Sequence, residues 1–116
     1  MERTELIEML KKICLAYTDI LGVVILFGSY SRGDEKKGSD VDLYIEPKDE
    51  LMTTSVLGKN KRYREFKYEL YECIPLEFDL LSYGGRRDIA SMRKSVLWRQ
   101  IEKEGVTIYD QRAKAV

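Results

Sequence analysis

The sequence contains no histidine. That excludes a Ser-His-Asp or Cys-His nucleophilic site, a His-ligated zinc and a His general base. Cysteine is nearly absent too. Cys14 and Cys73 form neither a disulfide framework nor a metal-site spacing. Both are expected to be buried reduced thiols, because free Cys behaves as a small apolar residue. No apolar run approaches the roughly 20 residues that span a bilayer. The N-terminal stretch MERTELIEML is charged and lacks a signal peptide's apolar core. A cytoplasmic protein with no membrane partner is therefore expected, in a compartment rich in nucleotides and Mg²⁺. Net charge is missing as well: 20 Lys+Arg balance 20 Asp+Glu. Whole-molecule attraction to nucleic acid or anionic lipid is thereby removed. Chemistry must rest on carboxylates, hydroxyls, Lys, Arg and bound metal.

What is present suits one domain, expected over residues 1–116, with 44% hydrophobic and 34% charged residues. Residues 3–18 carry Leu6, Met9, Leu10, Ile13, Cys14 and Tyr17 at helical spacing, with Thr4 as a cap and Gly22 as a stop. Residues 22–27 are an all-apolar run suited to a strand buried on both faces. Residues 29–33 predict one helical turn capped by Ser29. In 40–46, Val41, Leu43 and Ile45 face one way, and Asp40, Asp42, Tyr44 and Glu46 the other. Residues 48–60 are the least legible: Thr53-Thr54-Ser55 is a poor helix former and Gly58-Lys59-Asn60 reads as a break. A helix follows over 61–74, bounded by Pro75. A third strand spans 76–82, with Glu77, Asp79 and Leu81 on one face. A last helix spans 86–104, with Ile89, Met92, Val96, Leu97 and Ile101 inward. A short edge strand spans 106–109, and the tail after Asp110 is expected to fray. The link of about 12 residues between the first two strands is short for a parallel crossover, so that pair should be antiparallel. The expected fold class is α/β (α+β), with a small mixed sheet and helices packed on it.

The candidate chemistry lies in GSYSRGDEKKGSDVDL, residues 28–43. Asp40 and Asp42 are two apart on a strand, so both carboxylates leave one face. Oxygen-only ligands favour Mg²⁺ or Mn²⁺. Asp79 on a neighbouring strand adds a third carboxylate, with Glu77 as the alternative on the same face. Three carboxylates from two strands suit a two-metal site for displacement at phosphorus. An isolated DxD is more often a solvated sheet face. Here Gly28 and Ser29 stand before it: Gly admits a phosphate close to the backbone, the turn offers N–H groups and Ser29 a hydroxyl.

This stretch resembles the nucleotidyltransferase signature of the DNA polymerase β superfamily, G-S-x-A-R-G-x(5)-S-D-x-D-L. Here it reads Gly28, Ser29, Tyr30, Ser31, Arg32, Gly33, then Ser39, Asp40, Val41, Asp42, Leu43, with Ser31 replacing the usual Ala. The short chain is similar to the minimal nucleotidyltransferases, many of them antitoxins paired with HEPN-domain toxins. Residues 101–109 also resemble that group's usual close. The resemblance implies that Asp40, Asp42 and Asp79 hold two Mg²⁺ ions. It implies that Gly28 and Ser29 hold the β- and γ-phosphates of ATP, and that AMP passes to a hydroxyl, expected on a tyrosine of a HEPN toxin. Ser39 belongs to the same signature.

Arg32 either neutralises phosphate or pins the loop to a carboxylate. Tyr30 is a candidate contact for nucleotide or partner. The basic cluster Lys59, Lys61, Arg62, Arg64 and Lys67 reads first as a solvated helix face. A contact-only antitoxin, and transfer to a small-molecule hydroxyl with a partner subunit, are the competing readings. The oligomeric state, homomeric or heteromeric, is not specified by the sequence.

Overall fold

The computed structural model describes residues 1–113. Ten elements follow in order: α1 (Arg3–Leu15), β1 (Leu21–Phe27), α2 (Ser29–Arg32), β2 (Val41–Pro47), α3 (Thr54–Lys59), α4 (Lys61–Cys73), β3 (Phe78–Ser82), α5 (Arg86–Met92), α6 (Val96–Glu104) and β4 (Val106–Asp110). The strands form one sheet in the order β3-β2-β1-β4. β1 pairs antiparallel with β2 and β4, while β2 and β3 run parallel. The sheet is mixed, as the short first connection requires. Among the described residues no helix is long and apolar enough to cross a membrane.

Helices cover both faces of the sheet. On one, Leu6, Leu10 and Ile13 of α1 and Tyr63, Phe66 and Leu70 of α4 bury against Val24, Leu26, Val41, Leu43 and Ile45. On the other, Met92 of α5 and Ile101 of α6 pack on Tyr44, with Ile25, Leu81, Tyr83 and Trp98 around it. That second layer explains why Tyr44 and Glu46, expected on a polar face, are buried. Glu46 is tolerated there because Arg93 donates to both of its carboxylate oxygens, at 2.8 and 3.0 Å, and Tyr44 donates its hydroxyl.

Several local expectations fail for identifiable reasons. The first helix ends at Leu15, and Thr4 does not cap it; Glu2 takes that position without a side-chain bond. Gly22 is no helix stop but a residue of β1, where a Cβ would strike the Pro47 carbonyl beside an irregularity in the ladder. Residues 54–59 are helical after all, because Thr53 caps them by accepting from the Val56 amide and Leu57 buries completely. The helix expected over 86–104 is two. Ser95 accepts from the Trp98 amide and opens a new N-terminus, which turns Val96 and Leu97 outward rather than inward. Cys14 is buried, but Cys73 is exposed at the end of α4. At the start of the tail expected to fray, the Gln111 amide donates to the Gly22 carbonyl at 2.9 Å. The tail's remainder, 114–116, lies outside the described residues.

Candidate active site

The β2–β3 register brings the carboxylates together. Asp42 is the direct neighbour of Asp79, and on the other side of β2 it pairs with Phe27 of β1. Side chains in such a row share one face. The next row, Ile25, Tyr44 and Leu81, lies beneath α5 and α6. The same layer reaches Phe27 on the β1 side of the acidic row but leaves Asp79 exposed and Asp42 half-buried. Asp40 lies just before β2 and is exposed. Glu77, the alternative third carboxylate, lies just before β3; its carbonyl accepts from the Val41 amide at 2.8 Å, and Asp79 holds the position beside Asp42.

The turn after β1 closes the other side. Gly28 sits at φ 75°, ψ −156°, and a Cβ there would collide with the Asp42 carboxylate. Only glycine accepts both the dihedral and the proximity. Gly28, not Ser29 as expected, is the N-cap of α2, and Ser29 is the first helical residue. The Ser31 and Arg32 amides donate to the Gly28 carbonyl at 3.1 and 3.2 Å, and the buried Ser31 hydroxyl donates to it at 2.7 Å. Ser31, the departure from the family signature, thus fastens the turn. Ser29 and Tyr30 amides, in the first turn of α2, lack helical acceptors and are the donors available to an anion. Arg3 of α1 holds the far end of this turn by donating to the Tyr30 and Ser31 carbonyls at 2.7 and 3.0 Å.

Not every residue of the signature reaches this cluster. The Ser39 hydroxyl accepts from the Lys36 amide at 2.8 Å and closes the intervening loop. The Tyr30 ring is buried in the core, so the side chain offers no surface to nucleotide or partner. Arg32 donates to Asp34 at 3.1 Å and to Glu104 at 3.0 Å, which is the loop-pinning arrangement. In the basic cluster, Arg62 is taken up by Asp19, Glu65 and the Ala16 carbonyl and lies over the Tyr17 ring. Arg3 and Glu104 escaped sequence reasoning because their contacts span 27 and 72 positions.

Electrostatics single out Asp42. Burial pushes its carboxyl up from the ordinary value of 3.8; Asp79 and Asp40 push it further, while Arg32 opposes them. A cation between these carboxylates would relieve that strain. Among the described residues no three His, Cys, Asp or Glu side chains gather closely enough, as they stand, to hold a metal ion. Carboxylates with no cation between them repel one another, and Asp40 and Asp79 both raise the Asp42 pKa in this way. The donor set, three carboxylates with no nitrogen or sulfur, fits a hard divalent cation.

The comparisons agree with this geometry. The family model described as "Polymerase beta, Nucleotidyltransferase" matches residues 8–114. "Putative protein adenylyltransferase MJ0435" of Methanocaldococcus jannaschii is 34% identical over 62 residues, covering 51% of this chain and 56% of that protein. The match thus spans little more than half the length of this curated relative. Among solved structures, a toxin–antitoxin with AMP-PNP shows 21% identity and a TM-score of 0.54, over 88% of this chain and 74% of that one. A tri-AMPylated Shewanella oneidensis HEPN toxin in complex with MNT antitoxin shows 19% identity and a TM-score of 0.54, over 95% and 74%. At these identities the structures establish a shared fold. The carboxylate row, the glycine turn facing it and the match over nearly the whole length together place this chain in the polymerase β nucleotidyltransferase family.

Proposed function

We propose that this chain transfers AMP from ATP to a hydroxyl on a partner protein, and that it serves as the antitoxin of a HEPN-type toxin by modifying a tyrosine of that toxin. The observation that carries this reading is the register placing Asp42 beside Asp79, opposite a glycine turn that only a glycine can make. The adenylyltransferase name of the archaeal relative and the AMPylated toxin in one structural neighbour support AMP as the group and a protein as the acceptor.

Asp40, Asp42 and Asp79 are the residues that would hold divalent cations, two Mg²⁺ or Mn²⁺, which supply Lewis-acid stabilisation of charge at phosphorus. The Ser29 and Tyr30 amides and the Ser29 hydroxyl bind the β- and γ-phosphates and orient the leaving group. Asp79 lies on β3, an edge strand, and is exposed, so a hydroxyl carried by another molecule can reach it. Asp79 accepts the hydroxyl proton. The acceptor oxygen bonds to the α-phosphorus, the α–β phosphoanhydride breaks and pyrophosphate leaves. A cytoplasmic setting, where ATP and Mg²⁺ are plentiful, belongs to this reading.

The test is incubation of the chain and its cognate toxin with α-labelled ATP and Mg²⁺. The toxin should acquire label, and Asp42→Ala should abolish it. Absence of label with the wild-type chain would refute transfer. Label that survives Asp42→Ala would refute the carboxylate assignment. Neutralisation that survives the Asp40→Ala, Asp42→Ala double substitution would point to contact alone.

A further inference from the structure

The reading above leaves one ion pair unused. Glu104, the last residue of α6, lies 72 positions from Arg32 and accepts from its Nη1 at 3.0 Å, while Asp34 accepts from its Nε at 3.1 Å. The two carboxylates take donors from two different nitrogens of one guanidinium. A cavity of about 180 Å³ lies beside the pair, lined by Phe27, Gly28, Arg32, Leu97, Gln100 and Glu104. It therefore joins the ion pair to the turn where the phosphates bind.

We infer that Glu104 is an internal competitor for the triphosphate: its carboxylate and a phosphate oxygen compete for Arg32, and nucleotide binding exchanges one for the other. This inference rests on the nucleotidyl-transfer reading and deepens it by naming what sets nucleotide affinity. Three observations carry it. Arg32 follows the phosphate-binding turn directly and borders the same cavity as Gly28. Asp40, Asp42 and Asp79 make the neighbourhood acidic, so a tetra-anionic ligand needs every cation within reach. The pair is also weak enough to exchange, because its side chains are 40% and 23% exposed, and partly solvated pairs contribute little. The adjoining cavity gives the arginine room to change rotamer without disturbing the core. Asp34, two residues along the same loop, holds the Nε edge and keeps Arg32 near the turn after the exchange.

Glu104 acts through the guanidinium it pairs with, so its role is to position Arg32. Glu104→Gln keeps the shape and removes the competing charge. It should tighten binding of a non-hydrolysable ATP analogue with Mg²⁺ by about threefold to fivefold, the scale of an exposed ion pair. Pyrophosphate should tighten by a similar factor, and KM for ATP should fall with little rise in kcat. Glu104→Asp, which keeps the charge, should stay near wild type. In an Arg32→Ala background Glu104→Gln should have no effect on affinity. Unchanged or weaker nucleotide binding by Glu104→Gln, with wild type binding normally, overturns the inference and spares the function. A gain that persists without Arg32 overturns it too, because the effect then runs through general charge. A wild-type chain that binds no nucleotide overturns both. Thermal melting of each variant separates these outcomes from loss of fold.

Discussion

Asp42→Asn should make the metal-free protein more stable while abolishing the proposed AMP transfer. Asp42 is half-buried and adjoins Asp79 in the strand register, with Asp40 two residues away. Burial first, then these two carboxylates, raise its pKa above 3.8. The folded state therefore holds the Asp42 proton more tightly than the unfolded state does. It follows that the contribution of Asp42 to stability is most favourable below the unfolded value near 3.8 and is lost as pH rises through the higher folded value. At neutral pH the ionised side chain is a net cost. A cross-strand pair is worth roughly 0.2–1 kcal/mol, and like charges take the unfavourable sign. Asparagine removes that repulsion and keeps the shape. A gain of about 0.5–1 kcal/mol is expected at pH 7, which for a chain of this size raises Tm by roughly 2–6 °C. The assay is thermal denaturation in chelator across pH 4 to 8. The advantage of the variant should shrink toward pH 4, where wild-type Asp42 takes up its proton. Mg²⁺ should stabilise wild type and have less effect on the variant. A variant less stable than wild type at pH 7, or a difference that grows on acidification, would refute the argument that these carboxylates strain one another.

Two substitutions probe the flanks of the site. Gly28→Ala forces a Cβ into the Asp42 carboxylate at a positive φ, and should cost about 1–3 kcal/mol by urea titration and remove AMP transfer. Arg93→Ala strands the buried Glu46. Breaking a buried pair costs about 3–5 kcal/mol, and the part-exposure of Arg93 lowers the expected loss to about 2–3 kcal/mol. Pairing it with Glu46→Gln should recover much of that loss in a denaturant midpoint, with AMP labelling of the toxin retained at low temperature.

The legible parts of this chain were those where a local period or cap decides the conformation. The strand at Leu21–Phe27, the helix at Lys61–Cys73 and the alternation through Asp42 all follow from side-chain spacing. The split at residues 93–95 was written locally too, since Ser95 is a capping residue, but the apolar spacing across it masked the break. Residues 54–59 were missed because their helix depends on burying Leu57, not on propensity. Tyr44 and Glu46 were misjudged because alternation predicts which face a side chain takes and not what covers that face.

The sequence alone determined the donor chemistry of the candidate site: oxygen donors without histidine, two carboxylates on one strand face, and a glycine turn ahead of them. These depend on residue identity and on spacings of a few positions, which covalent geometry enforces. Tertiary structure decided which further carboxylate lies beside Asp42. Asp79 lies 37 positions beyond Asp42, and only the parallel pairing of β2 with β3 sets them side by side. Tertiary structure also decided that α5 and α6 bury Tyr44 yet leave Asp42 half-buried and Asp79 exposed, and that Glu104 reaches Arg32. Register and helix coverage arise from packing between distant segments, and no local pattern carries that information.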